Sequence, residues 1–347
     1  MRYVIIGNYG STNIGDEAIL AAIVDRLRLR DKSSHITVLS YNPQTTERIH
    51  NVKAQVLFPA GVRSLYRAIF RGEIIGTIRA LKKCDRVIFG GGGLFNDEKL
   101  AAVFLWFWQV FCAHFFCRNI FFYRQSVGPL NTRIGRYLTR KATEYCTRIY
   151  VRDSSSKELL TYLGVSDVDL RRDPVLDWKF VKRYVSAYYR LIYSGEKEPD
   201  ENLSYIIVSL REWRGVDDKF ITKIAKVLEK YCLEYDYRIF FVPYQSKYED
   251  DAKIYRRLRA KIDKKVIMKV CRFNYENNFK QEMQMLLELY LGAERVVAMR
   301  LHALILAYMC RMDAVGIVYS KKVQSFVESV NFKHVSIKGV EEIEEVL

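Results

Sequence analysis

The sequence predicts an α/β protein of two domains, each a parallel β-sheet covered by helices. Three observations carry this. The chain has 347 residues, about the length of two ordinary domains, and half of it is apolar, enough for two cores. Short apolar runs of strand length alternate with stretches of helical spacing. That rhythm breaks near residues 173–203 and then starts afresh.

In the first half, Tyr3–Ile6 is an apolar run that ends in a polar, glycine-rich loop, and Glu17–Leu29 has helical spacing. His35–Ser40 is a short strand, and Arg86–Phe89 is another, followed by four glycines. Ile120–Gln125 and Arg148–Val151 are two more. The interruption holds DPVLD (173–177), a charged aromatic helix, and the polar turn cluster GEKEPDEN (195–202), which is the preferred linker. The expected boundaries are 1–177 for the first domain, 178–203 for a connecting segment and 204–347 for the second domain. Strands are then expected at Tyr205–Ser209, Arg238–Val242, Val266–Lys269, Arg295–Ala298 and Ala314–Val318.

One stretch imitates a membrane span. Residues 100–123, LAAVFLWFWQVFCAHFFCRNIFFY, are strongly apolar, but Gln109, His114, Arg118 and Asn119 interrupt them, leaving too short a run to cross a bilayer. A buried helix to about residue 117, then a strand from Ile120, is expected instead.

The formal charge of +16 favours an anionic partner: a phosphorylated substrate, an anionic membrane surface or nucleic acid. No nucleic-acid-binding module is visible, so nucleic acid is not an expected partner. Seven cysteines are scattered without a C-x-x-C pair, which argues against a metal site or a disulfide framework and for a reducing compartment. The N-terminus opens directly into a strand, with no signal peptide. A cytoplasmic protein, peripheral at the inner face of the cell membrane, is the expected location, because the charge and the apolar stretch both suit anionic lipid.

In open parallel sheets, ligands bind beyond the carboxyl ends of the strands. After the first strand comes GNYGSTNIGDEAIL (7–20). Gly10 and Gly15 allow close approach of a ligand, Asn13 lies in the same loop, Asp16 and Glu17 stand at the helix start, and a helix N-terminus favours anions. The loop is neither a dinucleotide fingerprint nor a P-loop. Further on come Gly91, Gly92 and Gly93, then Gln125, then Arg152, an arginine at a strand end that suits a carboxylate or phosphate. The second half supplies Arg211, Gln245, Arg300 and His302, with Lys321 and Lys322 beyond the last of these strands. His302 stands where strand turns to helix beside another polar side chain, and histidine changes charge most easily near neutrality. Glycine loops on one wall of a cleft and Arg, His and Lys on the other suit anionic ligands. No metal site and no bound cofactor are expected. From the residues alone, the function stops at a two-domain enzyme acting on anionic or phosphorylated ligands.

Several of these strings together resemble the polysaccharide pyruvyl transferase family: GNYGSTNIGDEAIL, GGGLFND (91–97), QSVGP (125–129), VRDSSS (151–156), DPVLD, SLREW (209–213), MRLHALILA (299–307) and VYSKKVQSF (318–326). They run in family order across nearly the whole chain, and MRLHA is the sharpest. The resemblance implies two Rossmann-like domains with parallel sheets facing across a cleft, a GT-B-like fold. It also implies phosphoenolpyruvate as the donor co-substrate. The acceptor would be a sugar of a bacterial surface polysaccharide, often lipid-linked, on which a pyruvate ketal forms. By the same resemblance Arg152 and Lys322 match basic donor-site residues and His302 the general acid. Because the family often has Pro where this chain has Lys321, either lysine is open for the donor role. Residues 178–200 align with none of these motifs. A nucleotide-sugar-dependent glycosyltransferase of the same architecture is the rival expectation.

Overall fold

A computed structural model describes residues 1–61, 66, 70, 72–194, 204–245, 251–271 and 278–347. The chain forms two compact units, Met1–Trp178 with Tyr275–Phe279, and Lys179–Asn274 with Lys280–Leu347.

The first unit holds a seven-stranded sheet: β1 (Arg2–Ile6), β2 (His35–Ser40), β3 (Lys53–Val56), β4 (Arg86–Gly90), β5 (Ile120–Gln125), β6 (Arg148–Val151) and β7 (Val168–Leu170). Its order is β3-β2-β1-β4-β5-β6-β7 and each pairing is parallel. Its helices are α1 (Ile14–Arg30), α2 (Pro43–His50), α3 (Glu73–Lys83), α4 (Leu100–Phe116), α5 (Arg133–Glu144) and α6 (Ser154–Tyr162). Strands such as RYVII and RVIFG bury nearly every residue, because helices cover both faces.

The second unit repeats the plan with six parallel strands: β8 (Tyr205–Ser209), β9 (Arg238–Phe241), β10 (Met268–Val270), β11 (Arg295–Ala298), β12 (Ala314–Val318) and β13 (Lys333–Ser336). Their order is β10-β9-β8-β11-β12-β13. The helices are α7 (Lys179–Tyr193), α8 (Asp218–Tyr235), α9 (Asp251–Arg259), α10 (Phe279–Leu291), α11 (Leu301–Met309), α12 (Lys321–Ser329) and α13 (Ile343–Val346). Helix α7 falls inside the expected connecting segment, and it packs within the second unit. The Tyr189 hydroxyl donates to the Cys310 carbonyl at 2.7 Å, and Tyr184 donates to Glu288. The rest of that segment's expected linker, 195–202, lies outside the described residues.

Two features differ from expectation. Strands β3, β7 and β13 have no counterpart in the sequence pattern. They are sheet-edge strands, KAQV, VDL and KHVS, that each bury a single residue and so need no apolar run. Helix α4 ends at Phe116 as expected but is not buried all round: Phe104, Trp108, Phe111 and Phe115 are exposed.

In both sheets strand order reverses between the first strand and its neighbour, β1 beside β4 and β8 beside β11. At such a switch point the connections leave in opposite directions and open a crevice at the carboxyl ends. The topology therefore marks one ligand-binding position in each unit.

Candidate functional site

In the first unit the two glycine loops meet at the switch point. A Cβ on Gly7 would lie 2.1 Å from the Gly90 carbonyl oxygen, so the loops touch backbone to backbone. Gly92 has φ +66° and a Cβ there would meet Asp16 Oδ1 at 2.4 Å. Gly10 (φ +71°) and Gly91 (φ +112°) are likewise crowded, by Ser40 and by Tyr9. Gly93 is half-buried, and its carbonyl accepts from Asn96 Nδ2 at 2.8 Å. Gly7, Gly10, Gly91 and Gly92 are thus required by the protein's own packing.

The polar groups of the loop are spent on each other. Asn13 caps α1, its side chain accepting from Gly15 N at 2.9 Å and Asp16 N at 3.4 Å. The Asp16 carboxylate accepts from Asn8 Nδ2 at 2.7 Å. Glu17, almost wholly buried, accepts from Gly10 N at 2.8 Å and lies 2.8 Å from His50 Nε2. The buried Tyr9 hydroxyl donates to the Gly90 carbonyl at 2.7 Å; burial first, then Asp16 and Glu17, push its phenol far above the ordinary value. Gln125, fully buried, donates from Nε2 to the Phe89 carbonyl at 3.2 Å.

Arg152, at the end of β6, is also taken up internally. Its Nε donates to Ser126 Oγ at 2.8 Å and its Nη1 to Asp173 Oδ2 at 2.6 Å, with both charged side chains about 5% exposed or less (4% and 5%). The DPVLD string explains the partner. Asp173 caps the short 3-10 turn Pro174–Asp177, and Asp177 at its end accepts from Arg124 Nη1 at 2.6 Å. Two carboxylates four residues apart thus clamp arginines from the ends of β5 and β6. Trp178 closes the turn, buried with its Nε1 donating to Asp25 at 2.9 Å.

The second unit's switch point has the opposite character. Strands β8, β11 and β12 end side by side and deliver Arg211, Arg300 and His302, and Tyr319 to Lys322. Arg211, 8% exposed, donates from Nη1 to the Tyr319 hydroxyl at 3.1 Å, and its guanidinium stacks 4.7 Å from the Trp213 ring and 5.2 Å from that of Tyr319. Trp213 and Tyr319 pack edge to face at 4.6 Å. Burial pushes the Tyr319 phenol up, but Lys322, Arg211 and Arg300 together outweigh it and hold the phenol below its ordinary value. Three cations therefore act on one hydroxyl.

Arg300 is anchored by Asp251, the first residue of α9. Its Nε donates to Oδ2 at 3.2 Å and its Nη2 to Oδ1. Asp251 also accepts from Tyr244 N at 2.9 Å and Gln245 N at 3.1 Å, which fixes the buried Gln245 beside the cluster. Burial raises the Asp251 carboxyl despite Arg300. Helices α11 and α12 both begin at these strand ends, so two positive helix ends add to the field. Ser320, at the N-cap of α12, makes no side-chain cap, and its Oγ is buried with no hydrogen-bond partner among the described residues. His302 is the second residue of α11 and half-buried. Lys322 is half-buried beside Tyr319 and makes no ion pair among the described residues, whereas Lys321 is exposed. Such a cluster can hold a dianion with hydrogen bonds from side chains and helix ends.

Among the site residues expected from sequence, the structure gathers Arg211, Gln245, Arg300, His302 and Lys322 in the second unit. It gathers Gly10, Asn13, Gly15, Asp16 and Gly91 to Gly93 in the first. Tyr319 and Asp251 were not picked out as site residues. Tyr319 carries a signal, its place at a strand end before two lysines; Asp251 carries none, since it reads as an ordinary helix-start carboxylate. No group of three or more His, Cys, Asp or Glu side chains among the described residues is placed to hold a metal ion.

The sequence model of one family, described as polysaccharide pyruvyl transferase, matches residues 13–321. The chain belongs to that family. No curated protein matches it in sequence. Solved structures resemble it in fold: UDP-GlcNAc 2-epimerase from Methanocaldococcus jannaschii, 13% identical with TM-score 0.60 over 100% of this chain and 92% of that one; the Neisseria meningitidis enzyme of the same name bound to UDP-GlcNAc, 12% identical with TM-score 0.60 over 99% and 90%; and an S. aureus protein, MnaA, with UDP, 11% identical with TM-score 0.62 over 99% and 87%. Identity this low speaks for the fold alone. This member of the family is therefore a GT-B-like protein built from two parallel α/β sheets.

Proposed function

We propose that the protein uses phosphoenolpyruvate to build a pyruvate ketal on a sugar of a bacterial surface polysaccharide or of its lipid-linked precursor, working in the cytoplasm. One observation carries the donor assignment: Arg211 donates to the Tyr319 hydroxyl at 3.1 Å, with Arg300 and Lys322 adding their positive charge, where three strands end and two helices begin. Phosphoenolpyruvate brings a phosphate and a carboxylate, and a cluster of this kind suits both. Family membership supports the pyruvyl chemistry.

In this proposal Lys322, Arg211 and the start of α12 hold the donor's anionic groups. His302, as imidazolium, protonates the donor's methylene carbon, which becomes the methyl group. A sugar hydroxyl attacks the resulting oxocarbenium-like carbon. Phosphate leaves as its C–O bond breaks, and a second hydroxyl closes the ketal. The proton from one hydroxyl restores His302 and that from the other goes to the departing phosphate, so the sum is phosphoenolpyruvate plus diol to ketal plus phosphate. No step needs a metal, because lysine and arginine neutralise the leaving phosphate. The resemblance also gives Arg152 a donor role. In this proposal Arg152 acts within the first unit with Asp173 as its constant partner.

The test is calorimetric titration with phosphoenolpyruvate and, separately, with UDP-glucose, each followed by assay for released phosphate or UDP. Binding of phosphoenolpyruvate that Lys322→Ala weakens in a folded protein is the expected result. Release of UDP from the nucleotide sugar with no affinity for phosphoenolpyruvate would overturn the proposal and leave a glycosyltransferase.

A further inference from the structure

Helix α4 has no charged residue from Leu100 to Phe116. A helix that is apolar all round is ordinarily buried all round. Here Val103, Trp106, Val110 and Ala113 do pack into the core of the first unit. Phe104, Trp108, Phe111 and Phe115 do not: they are 48%, 40%, 42% and 76% exposed. Spacings of four, three and four residues place them on one stripe along the helix. A continuous aromatic stripe on a water-facing helix is the mark of an interaction surface.

The neighbours are cationic. Helix α4 packs against both α3 and α5. Helix α3 exposes Ile75, Arg79, Lys82 and Lys83, and α5 exposes Arg133, Ile134, Tyr137 and Arg140. Glu144 is the acidic residue on α5, and it is shared by Arg140 at 3.6 Å and Lys141 at 2.7 Å. Exposed Arg118 follows the end of α4.

We propose that this face of the first unit lies on an anionic lipid bilayer, with the α4 aromatics at headgroup depth and the flanking arginines and lysines on the lipid phosphates. Aromatic rings favour that depth, and a polybasic flank favours anionic headgroups. A second copy of the chain is the poorer occupant, because it would bring two basic flanks together. Among the described residues no helix is long and apolar enough to cross a membrane, so the helix rests in the surface plane. The inference does not rest on the chemistry proposed for the strand-end clusters.

The test is cosedimentation of the full chain with vesicles of phosphatidylcholine alone or with phosphatidylglycerol added. Binding to the mixed vesicles, weakened by salt, is expected. Phe104→Ser with Phe115→Ser should lower partitioning by about tenfold or more. Arg133→Glu with Arg140→Glu should remove the preference for phosphatidylglycerol. Both pairs are surface changes, and thermal unfolding checks that each folds. Failure of the native chain to bind mixed vesicles, or equal binding by native and Phe104→Ser/Phe115→Ser chains, overturns the proposal. So does a dimer in sedimentation velocity that the double serine variant dissolves while vesicles bind neither.

Discussion

Two tyrosines stand at the two switch points and are pushed in opposite directions. Tyr9 in the first unit is driven up by burial and by Asp16 and Glu17, whereas Tyr319 in the second is drawn down by Lys322, Arg211 and Arg300 against its own burial. The same strand order thus frames two different environments. At the first, carboxylates and arginines are consumed in bracing loops whose glycines are already in backbone contact. At the second, cations gather around a hydroxyl and two helix ends. A scaffold fixes where a ligand can bind; the sign of the charge beside the strand ends fixes what it binds.

The sharpest break of that contrast is at His302. His302→Gln keeps a hydrogen-bonding side chain but no acid, and turnover is expected to fall by about 10²–10⁴-fold while phosphoenolpyruvate affinity largely remains. Single-turnover phosphate release beside calorimetry separates the two, and a near-normal rate would remove His302 from the chemistry.

In the first unit the large effect is on stability instead. Arg152→Ala leaves Asp173 charged and buried, and should cost about 3–5 kcal/mol in denaturant unfolding. Arg152→Ala with Asp173→Ala should recover part of it, since no lone charge is left. An additive double variant would dissolve the brace.

Lys322→Ala should weaken phosphoenolpyruvate binding by about 1.5–3 kcal/mol with little change in stability, because the ammonium makes no ion pair among the described residues. Lys321→Ala, at an exposed position, should change binding less. The reverse order, measured by titration, would move the donor contact to Lys321.

The smallest effect is in pH. As pH rises through the lowered Tyr319 value, the phenolate forms, cancels part of the cationic field and repels an anion. Phosphoenolpyruvate affinity should therefore decline on the alkaline side before the ordinary tyrosine range near 10 is reached. Tyr319→Phe should lose about two- to tenfold in affinity at neutral pH and abolish that alkaline decline. An unchanged pH profile in Tyr319→Phe would separate the phenol from the donor site.

Much of this was legible in the sequence because buried parallel strands announce themselves. Arg148–Val151, Tyr205–Ser209, Arg295–Ala298 and Ala314–Val318 coincide with apolar runs between helices. Strands such as KHVS are set by pairing with a neighbour, and nothing local marks them. The position of Arg300 and His302 at a strand end was equally legible, but the Arg300–Asp251 and Arg152–Asp173 pairs join residues 49 and 21 apart, and only folding brings them together. The α4 stripe shows the converse limit: apolar composition argues burial, and it cannot say which face is left in water.

Phe279 belongs to the first unit although it begins α10, far along the chain. Its ring stacks on Trp178 at 6.4 Å and lies 5.2 Å from that of His50, which in turn reaches Glu17 beneath the first glycine loop. On the ribosome, then, the first unit emerges with one piece of its core still missing. It must hold Trp178 and His50 half-finished until most of the second unit has been synthesised. A fragment cut after Trp178 would carry that gap permanently, so neither unit is a contiguous stretch that can be expressed whole.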